Sequence, residues 1–421
     1  MSVVFDRPYQ FVPPVRNTAW PWLIQRLRLY DRYLRKKEGV VDYELRNLHH
    51  VQSSLDAGHS ILLAPNHCRY ADPLVLGWPA RALGIHVHAM ASWHLFNEGW
   101  FDAFAIRRMG AFSIYREGND RQSLETAIDI LAEGRRPLII FPEGTTNRTN
   151  DQLKPLLDGV AFIARTAAKR RAKMHQADST DTSSPAGQPP SGQVVIHPVA
   201  IKYLSVHKID DWATRQLDQF EKQLGWTHMP PRDLRQRTVQ LAEAHLALKE
   251  TQYYGHSNGG DLPERRDALI QHLLETTERR MGLDNESESV RERVRQIRSA
   301  AASRFFDRSP AQVSAHESEE ELRRDVDAAD LAQELFSYPD SYLIPDQVTD
   351  MRIVETIQRM QESINGKADT SIPLKAVIEF APALPVDGKR PRKGEPDPLM
   401  QSLESQLSEM LGRLSKEARP L

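Results

Sequence analysis

Residues 61–77, "ILLAPNHCRYADPLVLG", join an apolar run to a polar loop and a proline. The apolar start predicts a buried strand, and Pro73 suits the first turn of the helix that follows. A strand, a short polar loop and a helix form the repeating unit of an α/β fold. The loop places His67 and Asp72 five residues apart, just before the helix. A turn there can fold the imidazole back onto the carboxylate.

The spacing of His67 and Asp72 supports two interpretations. In one, Pro73 occupies the first helical position, Asp72 is the N-cap, and His67 is incidental. In the other, the carboxylate fixes the imidazole tautomer and stabilises the imidazolium, so that the second ring nitrogen can take a proton from a hydroxyl. The spacing alone leaves both open.

The same alternation of strands and helices continues on both sides of this stretch. The predicted helices cover residues 73–84, with Pro79 as an interruption, 121–134 and 156–174. A polar segment rich in Pro, Ser and Gly, residues 176–193, is predicted to be a mobile loop. Further strands are predicted at residues 85–91, 111–116, 137–141 and 194–203. We therefore expect an α/β fold with a central mixed, largely parallel sheet flanked by helices.

Beyond residue 205 the sequence predicts charged amphipathic helices, followed by a late strand at 373–386 and a last helix. That helix carries Leu399, Leu403, Leu407, Met410 and Leu414 on one face. We interpret the chain as four regions: a basic N-terminal helix region (1–40), an α/β core (41–204), a long helical insertion (205–368), and a closing strand and helix (369–421). The alternative is a separate C-terminal helical domain.

Composition narrows the classes of protein. The 421 residues carry a formal net charge of -2, which gives the whole chain no strong attraction to nucleic acid. The single cysteine, Cys68, excludes an intrachain disulfide. No segment approaches the roughly 18 to 20 apolar residues of a membrane span. Residues 20–37 predict a helix with Trp20, Trp22 and a charge of +5, which suits an interfacial helix on anionic lipid. A surface helix docked on its own domain is the alternative.

Polar clusters follow each predicted strand of the core. Because ligands bind beyond the carboxyl ends of parallel strands, we expect these clusters to converge. Arg116 and Arg148 can bind a phosphate, or they can form ordinary salt bridges with acidic side chains. Thr145 and Thr146 can cap the next turn or bind the same anion. Glu143, held in a tight turn, can hydrogen-bond a substrate hydroxyl.

Together these clusters resemble the glycerolipid acyltransferase family, typified by 1-acylglycerol-3-phosphate acyltransferases. The resemblance covers about residues 41–203, with weaker support from 373–414. It is carried by four blocks in the family's order: N-H-x-x-x-x-D at Asn66, His67 and Asp72; "GAFSIYR" from Gly110 to Arg116; "FPEGTTNR" with Phe141, Pro142, Glu143, Gly144, Thr145 and Arg148; and "VVIHPVAI" with Pro198.

The resemblance implies a mechanism. His67 would be the general base, oriented by Asp72, and the acceptor hydroxyl would attack the thioester of acyl-CoA or acyl-carrier protein. The remaining block residues would bind substrate. No cofactor, metal or covalent acyl-enzyme is expected. The implied partners are the acyl donor carrier and a membrane lipid surface, with the protein cytoplasmic and peripheral at the inner face.

Three departures from the family pattern leave the acceptor open, with lysophosphatidate as the default. Arg69 stands where many members have serine, residues 89–95 lack a lysine that many have, and Thr146 and Asn147 stand where many have Arg-Ser. Competing interpretations are a hydrolase that uses Cys68 or His67, a scaffold that has lost catalysis, and a zinc site. The zinc site would draw on His49, His50, His67, His86 and His88, although they match no finger-like or H-E-x-x-H pattern.

Overall fold

The computed structural model describes every residue except 1–4, 6, 98, 119, 179–191, 227–229, 285–286, 307–317, 390 and 393–394. Within the described residues, eight strands form a single sheet in the order β1-β7-β6-β2-β5-β3-β4, and β8 pairs with β6. The strands are β1 Val40–Arg46, β2 Ser60–Pro65, β3 His88–Ser92, β4 Ala111–Ile114, β5 Leu138–Ile139, β6 Val194–Ser205, β7 Leu374–Phe380 and β8 Leu384–Pro385.

The sheet is mixed and mostly parallel, and the predicted fold class is confirmed. Strand β2 is central and runs parallel to both β5 and β6, and β3 runs parallel to β5 and β4. Strand β7 lies between β1, to which it is parallel, and β6, to which it is antiparallel. The helical residues between β6 and β7 therefore connect two neighbouring strands of one sheet. The predicted domain boundaries remain predictions.

Helices cover both faces of the sheet. Helices α7, α8 and α15 pack on one face, and α3, α5, α9 and α14 pack on the other. Helices α11, α12 and α13 bury their apolar stripes chiefly against one another. The bounds are α1 Ala19–Leu27, α2 Leu29–Tyr33, α3 His49–Asp56, α4 Asp72–Val75, α5 Gly77–Ala82, α6 Trp100–Arg108, α7 Arg121–Glu133, α8 Gly159–Asp178, α9 Asp210–Gln223, α10 Leu234–Tyr254, α11 Leu262–Met281, α12 Val290–Phe306, α13 Glu319–Phe336, α14 Asp350–Asn365 and α15 Pro398–Ser415.

The N-terminal region differs from the single helix predicted at 20–37. Arg28 adopts a left-handed backbone conformation (φ 51°), which ends α1 and separates it from α2. A π-helical turn, Leu34–Glu38, follows α2. Tyr30 and Leu34 are buried in the core, whereas Trp22 and Leu27 of α1 are exposed. The second half of the segment is therefore docked through Tyr30 and Leu34, although Leu29 and Tyr33 of α2 are exposed like Trp22 and Leu27 of α1.

Some of the other local predictions are confirmed, and others are wrong. The helix at 121–134 is confirmed, with Gly134 as its left-handed C-cap, and the apolar face of α15 is buried as predicted. The helix at 73–84 is instead α4 and α5, separated at Leu76. Pro79 lies inside the first turn of α5, where no intrahelical N–H donor is needed. The strand at 85–91 is shorter and later than predicted, and the strand at 373–386 is divided into β7 and β8. The predicted loop at 176–193 begins inside α8, and its residues 179–191 lie outside the described residues.

Candidate active site

Asp72 organises the loop that follows β2. Its carboxylate is fully buried, and Oδ2 lies 2.9 Å from His67 Nδ1. The same oxygen accepts hydrogen bonds from the backbone N–H groups of Cys68 (2.7 Å) and Arg69 (2.9 Å), while Oδ1 accepts one from the Tyr203 hydroxyl (2.7 Å). Four donors of this kind compensate the burial of a negative charge. The loop is thereby folded around the carboxylate.

The expectation that Asp72 is the N-cap of the following helix is wrong. Ala71 occupies the N-cap position of α4, and Asp72 is the first helical residue. A residue inside the helix can aim its side chain backward, toward the preceding turn. The carboxylate therefore caps the loop N–H groups and the imidazole instead of its own helix.

His67 is held on three sides. Its ring stacks on Phe141, with centroids 4.1 Å apart, and Nε2 lies 3.1 Å from Thr146 Oγ1. Because a carboxylate only accepts, Nδ1 carries the proton, and Nε2 accepts from the Thr146 hydroxyl. The side chain is 9% exposed. The arrangement leaves one basic nitrogen directed at a hydroxyl, as general base catalysis requires.

Hydrogen bonds of Glu143 connect the loop after β5 to the loop after β2. Its carboxylate is fully buried. Oε1 accepts from the His67 backbone N–H (2.7 Å), and Oε2 accepts from the Lys154 N–H (2.9 Å) and the Asn147 amide. Burial raises the pKa of Glu143 to about 7, and these three hydrogen bonds oppose that rise. The expected bond to a substrate hydroxyl is not supported, because both oxygens are already used within the protein.

Three residues that were predicted to contact the substrate lie within or next to strands of the sheet. The Asn66 side chain is buried and exchanges two hydrogen bonds with the backbone of Ile201. Pro198 is buried within β6, opposite Ala64 of β2. Gly110 precedes β4, at the opposite end of that strand from Arg116, and its positive φ of 101° brings it against the Val87 carbonyl. These positions do not support contact with a substrate.

The other residues of the third block form the turn beneath the imidazole. Gly144, with φ 71°, donates its N–H to the Phe141 carbonyl (3.1 Å), which closes the turn. The Pro142 carbonyl accepts from Leu157 N–H (2.8 Å). Of the two threonines, Thr146 rather than Thr145 reaches His67. The contact of Thr146 was not singled out by sequence reasoning, which gave both threonines the same roles.

The two arginines predicted to bind an anion differ in their surroundings. Arg116 is partly exposed and forms no ion pair or hydrogen bond with any described residue, and burial lowers its pKa. Arg148 forms a salt bridge with Glu362 of α14, and its guanidinium lies 4.0 Å over the Tyr70 ring. The salt-bridge alternative is therefore realised for Arg148, and Arg116 remains free to receive an anion.

Tyr203 was missed by sequence reasoning. It lies two residues after the fourth block, but no local pattern links it to a carboxylate in a distant loop. Burial and the adjacent Asp72 raise the pKa of Tyr203 well above its ordinary value, so the phenol stays a donor. Glu362 was missed because it lies in the helical region, to which the resemblance assigns no function.

Cys68 does not have the character of a nucleophile. Its side chain is 2% exposed, and burial, with the charge of Asp72, raises the pKa of the thiol. A protonated, buried thiol is unreactive. Among the described residues, no group of three or more His, Cys, Asp and Glu side chains is placed to hold a metal ion. His88, one of the zinc candidates, instead bonds the Gly110 carbonyl at 2.8 Å.

Comparison with known proteins places this site in a family. Residues 42–202 match the family model described as Acyltransferase, so the chain carries a domain of the glycerolipid acyltransferase family, which includes 1-acylglycerol-3-phosphate acyltransferase-like proteins. No curated protein sequence matches the chain. In the described part of the chain, no helix has both the length and the apolar composition of a membrane span.

Proposed function

We propose that the protein transfers a fatty acyl group from acyl-CoA or acyl-carrier protein to a hydroxyl of a glycerol phosphate or lysophospholipid. The observation that carries this proposal is the buried His67–Asp72 pair, whose Nε2 is already in hydrogen-bond contact with a hydroxyl. The family assignment of residues 42–202 supports the reaction class.

In the proposed reaction the acceptor hydroxyl takes the place of the Thr146 hydroxyl at His67 Nε2. The proton passes to Nε2 as the hydroxyl oxygen forms a bond to the thioester carbonyl carbon. The tetrahedral intermediate then loses its carbon–sulfur bond, and the imidazolium returns the proton to the leaving thiolate. Asp72 stabilises the imidazolium throughout, which is the role of the carboxylate in a catalytic triad. The products are the acylated acceptor and the free thiol.

We propose that Arg116 binds the negatively charged group of the acceptor. A guanidinium without a protein partner gains from a phosphate, because charge-assisted hydrogen bonds to an anion are among the strongest polar contacts. Arg69, which departs from the family pattern, is not directed at this position. It donates to the Gln358 amide oxygen (2.9 Å) and lies 5.3 Å over the Tyr203 ring.

A surface formed by α1 and α6 suits a peripheral contact with anionic lipid. Trp22 is 59% exposed and Trp100 is 83% exposed, and the two helices meet where the Trp20 ring packs edge-on against Phe104, with centroids 5.2 Å apart. The basic residues of this surface are Arg26, Arg28, Arg107 and Arg108. Aromatic side chains with flanking arginines favour the interface of an anionic bilayer. Binding at the cytoplasmic, inner face of a membrane remains our prediction.

The proposed function is tested with the full-length chain. Labelled acyl-CoA and acyl-carrier protein are each offered with a panel of lysolipids and glycerol 3-phosphate, and products are read by mass. We expect transfer by the natural chain, no transfer by His67→Ala, and retained transfer by His88→Ala, a control of matching burial. Transfer by the His67 variant at the natural rate, or none by the natural chain to any acceptor, would overturn the proposal.

A further inference from the structure

Helix α14 borders the loop that follows β5, although it lies outside residues 42–202. Three residues of one face of the helix, seven and three positions apart, contact three residues of that loop. Arg359 Nη2 donates to the Asn147 carbonyl (2.7 Å), Glu362 pairs with Arg148, and Arg352 Nε donates to Asp151 (2.8 Å). A helical element that is absent from the family segment therefore reaches the anion-binding side of the site.

Arg148 combines an uncommon backbone conformation with two side-chain contacts. Its backbone is left-handed (φ 59°), a conformation that a residue with a side chain adopts at a cost. Its guanidinium contacts two groups, the face of Tyr70 and the carboxylate of Glu362. Tyr70 also lies within electrostatic range of the Arg116 guanidinium. Arg148 thus has an aromatic ring, Tyr70, and a counter-charge, Glu362, as its two side-chain partners.

Three other charged residues in this area have protein partners. Arg298 of α12 pairs with Asp330, Glu117 pairs with His94 at 3.1 Å, and Arg69 is engaged by Gln358. Glu38 lies within electrostatic range of both Arg69 and Arg148. Arg116, which forms no ion pair or hydrogen bond with any described residue, therefore differs from Arg148, which a carboxylate already neutralises.

Resting on the proposed function, we propose that Glu362 is a specificity-determining residue that acts as an internal anion on Arg148. With Arg148 neutralised, the site favours an acceptor head group with one negative charge, such as a phosphodiester. A phosphomonoester carries between one and two negative charges at neutral pH and would need Arg148 as a second cation. Its extra charge also meets repulsion from the Glu362 carboxylate.

The experiment compares two lysolipids with the same acyl chain, lysophosphatidylglycerol (a phosphodiester) and lysophosphatidate (a phosphomonoester). The measured quantity is the ratio of their kcat/KM values with a fixed acyl-CoA. We expect the natural chain to favour the phosphodiester. Glu362→Gln should shift the ratio about tenfold toward the phosphomonoester, mainly through KM, because it removes one charge beside Arg148. Glu362→Asp, which keeps the charge, should retain the natural ratio.

A matched control is Glu250→Gln. Glu250 is a buried carboxylate that pairs with Arg265 at 2.6 Å between α10 and α11, away from the sheet. It should leave the ratio unchanged. Equal loss of rate on both lysolipids in Glu362→Gln would show that Glu362 only supports the loop, and an unchanged ratio would show no role in selection; either result overturns this inference while leaving the proposed function intact. Absence of transfer by the natural chain to every acceptor would overturn both.

Discussion

Replacing Asp72 with asparagine separates the charge of this side chain from its shape. The carboxylate lies 2.9 Å from His67 Nδ1, and three donors converge on the same oxygen. The asparagine oxygen would therefore face these donors, and its amide nitrogen would face the Tyr203 hydroxyl, which can accept. The loop keeps most of its hydrogen bonds, and the imidazole keeps its tautomer. What is lost is the negative charge beside the imidazolium.

The size of the loss follows from that distance. Two unit charges 2.9 Å apart interact by about 6 kcal/mol at an effective dielectric constant of about 20, which is an upper limit for the lost stabilisation. A triad carboxylate changed to an amide loses about 10⁴-fold in kcat. We expect Asp72→Asn to lower kcat about 10³- to 10⁴-fold, or about 4 to 5.5 kcal/mol in the activation free energy.

The assay measures thiol release from acyl-CoA at saturating acceptor, with urea unfolding in parallel. The control is Asp350→Asn, which changes a carboxylate that is 4% exposed and accepts from Ser205 and two backbone N–H groups at the far end of α14. Both variants should lose a similar 1 to 3 kcal/mol of unfolding free energy, and only Asp72→Asn should lose rate. If Asp72→Asn keeps more than a tenth of the natural kcat, the catalytic pair is wrong.

Three further predictions address other parts of the molecule. The pKa of Glu143 in the folded chain, about 7, lies above its ordinary value of 4.5, so its stabilising contribution is complete below pH 4.5 and is lost as pH rises through 7. Urea unfolding should show a fall of up to about 3 kcal/mol between pH 4.5 and 8, and Glu143→Gln should flatten that slope; an equal slope in the variant would refute this account. Arg116→Gln should raise the acceptor KM about tenfold with the donor KM unchanged, as measured by initial rates, and an unchanged acceptor KM would remove Arg116 from the site. Trp22→Ser combined with Leu27→Ser should reduce sedimentation with anionic vesicles several-fold, because both side chains are exposed on α1; equal pelleting, or the same loss from Leu248→Ser on α10, would argue against a lipid contact there.

The sequence predicted the sheet and its loops well because those features are local. Buried strands appear in the sequence as apolar runs, and the loops after parallel strands meet at one edge of the sheet. The approach of Glu143 to His67 therefore followed from the strand order. The interruption at Leu76 was placed at Pro79 instead, because a proline is a conspicuous signal although it is harmless in a first helical turn.

The roles of individual side chains within the site were harder to predict, because they depend on which partner arrives from elsewhere in the chain. Glu143 was expected to face the substrate, yet the backbone of His67 and the turn around Asn147 use both of its oxygens. Arg148 was assigned to an anion, and that anion is supplied by Glu362 of a helix more than two hundred residues away. Such pairings carry no periodic or spacing signal.

The position of β7 also constrains how the chain acquires its site during synthesis. Val40, in the first strand, has its register partner at Leu374, and β6 is paired along its second half by the same late strand. Until β7 has left the ribosome, the nascent chain therefore exposes a long apolar edge at β6. Until α14 has emerged shortly before it, the loop that carries Arg148 also lacks its helical neighbour. Contacts so distant in sequence slow folding and expose intermediates to aggregation. We expect this protein to depend on chaperones through most of its synthesis and to gain its selectivity only in the last stage.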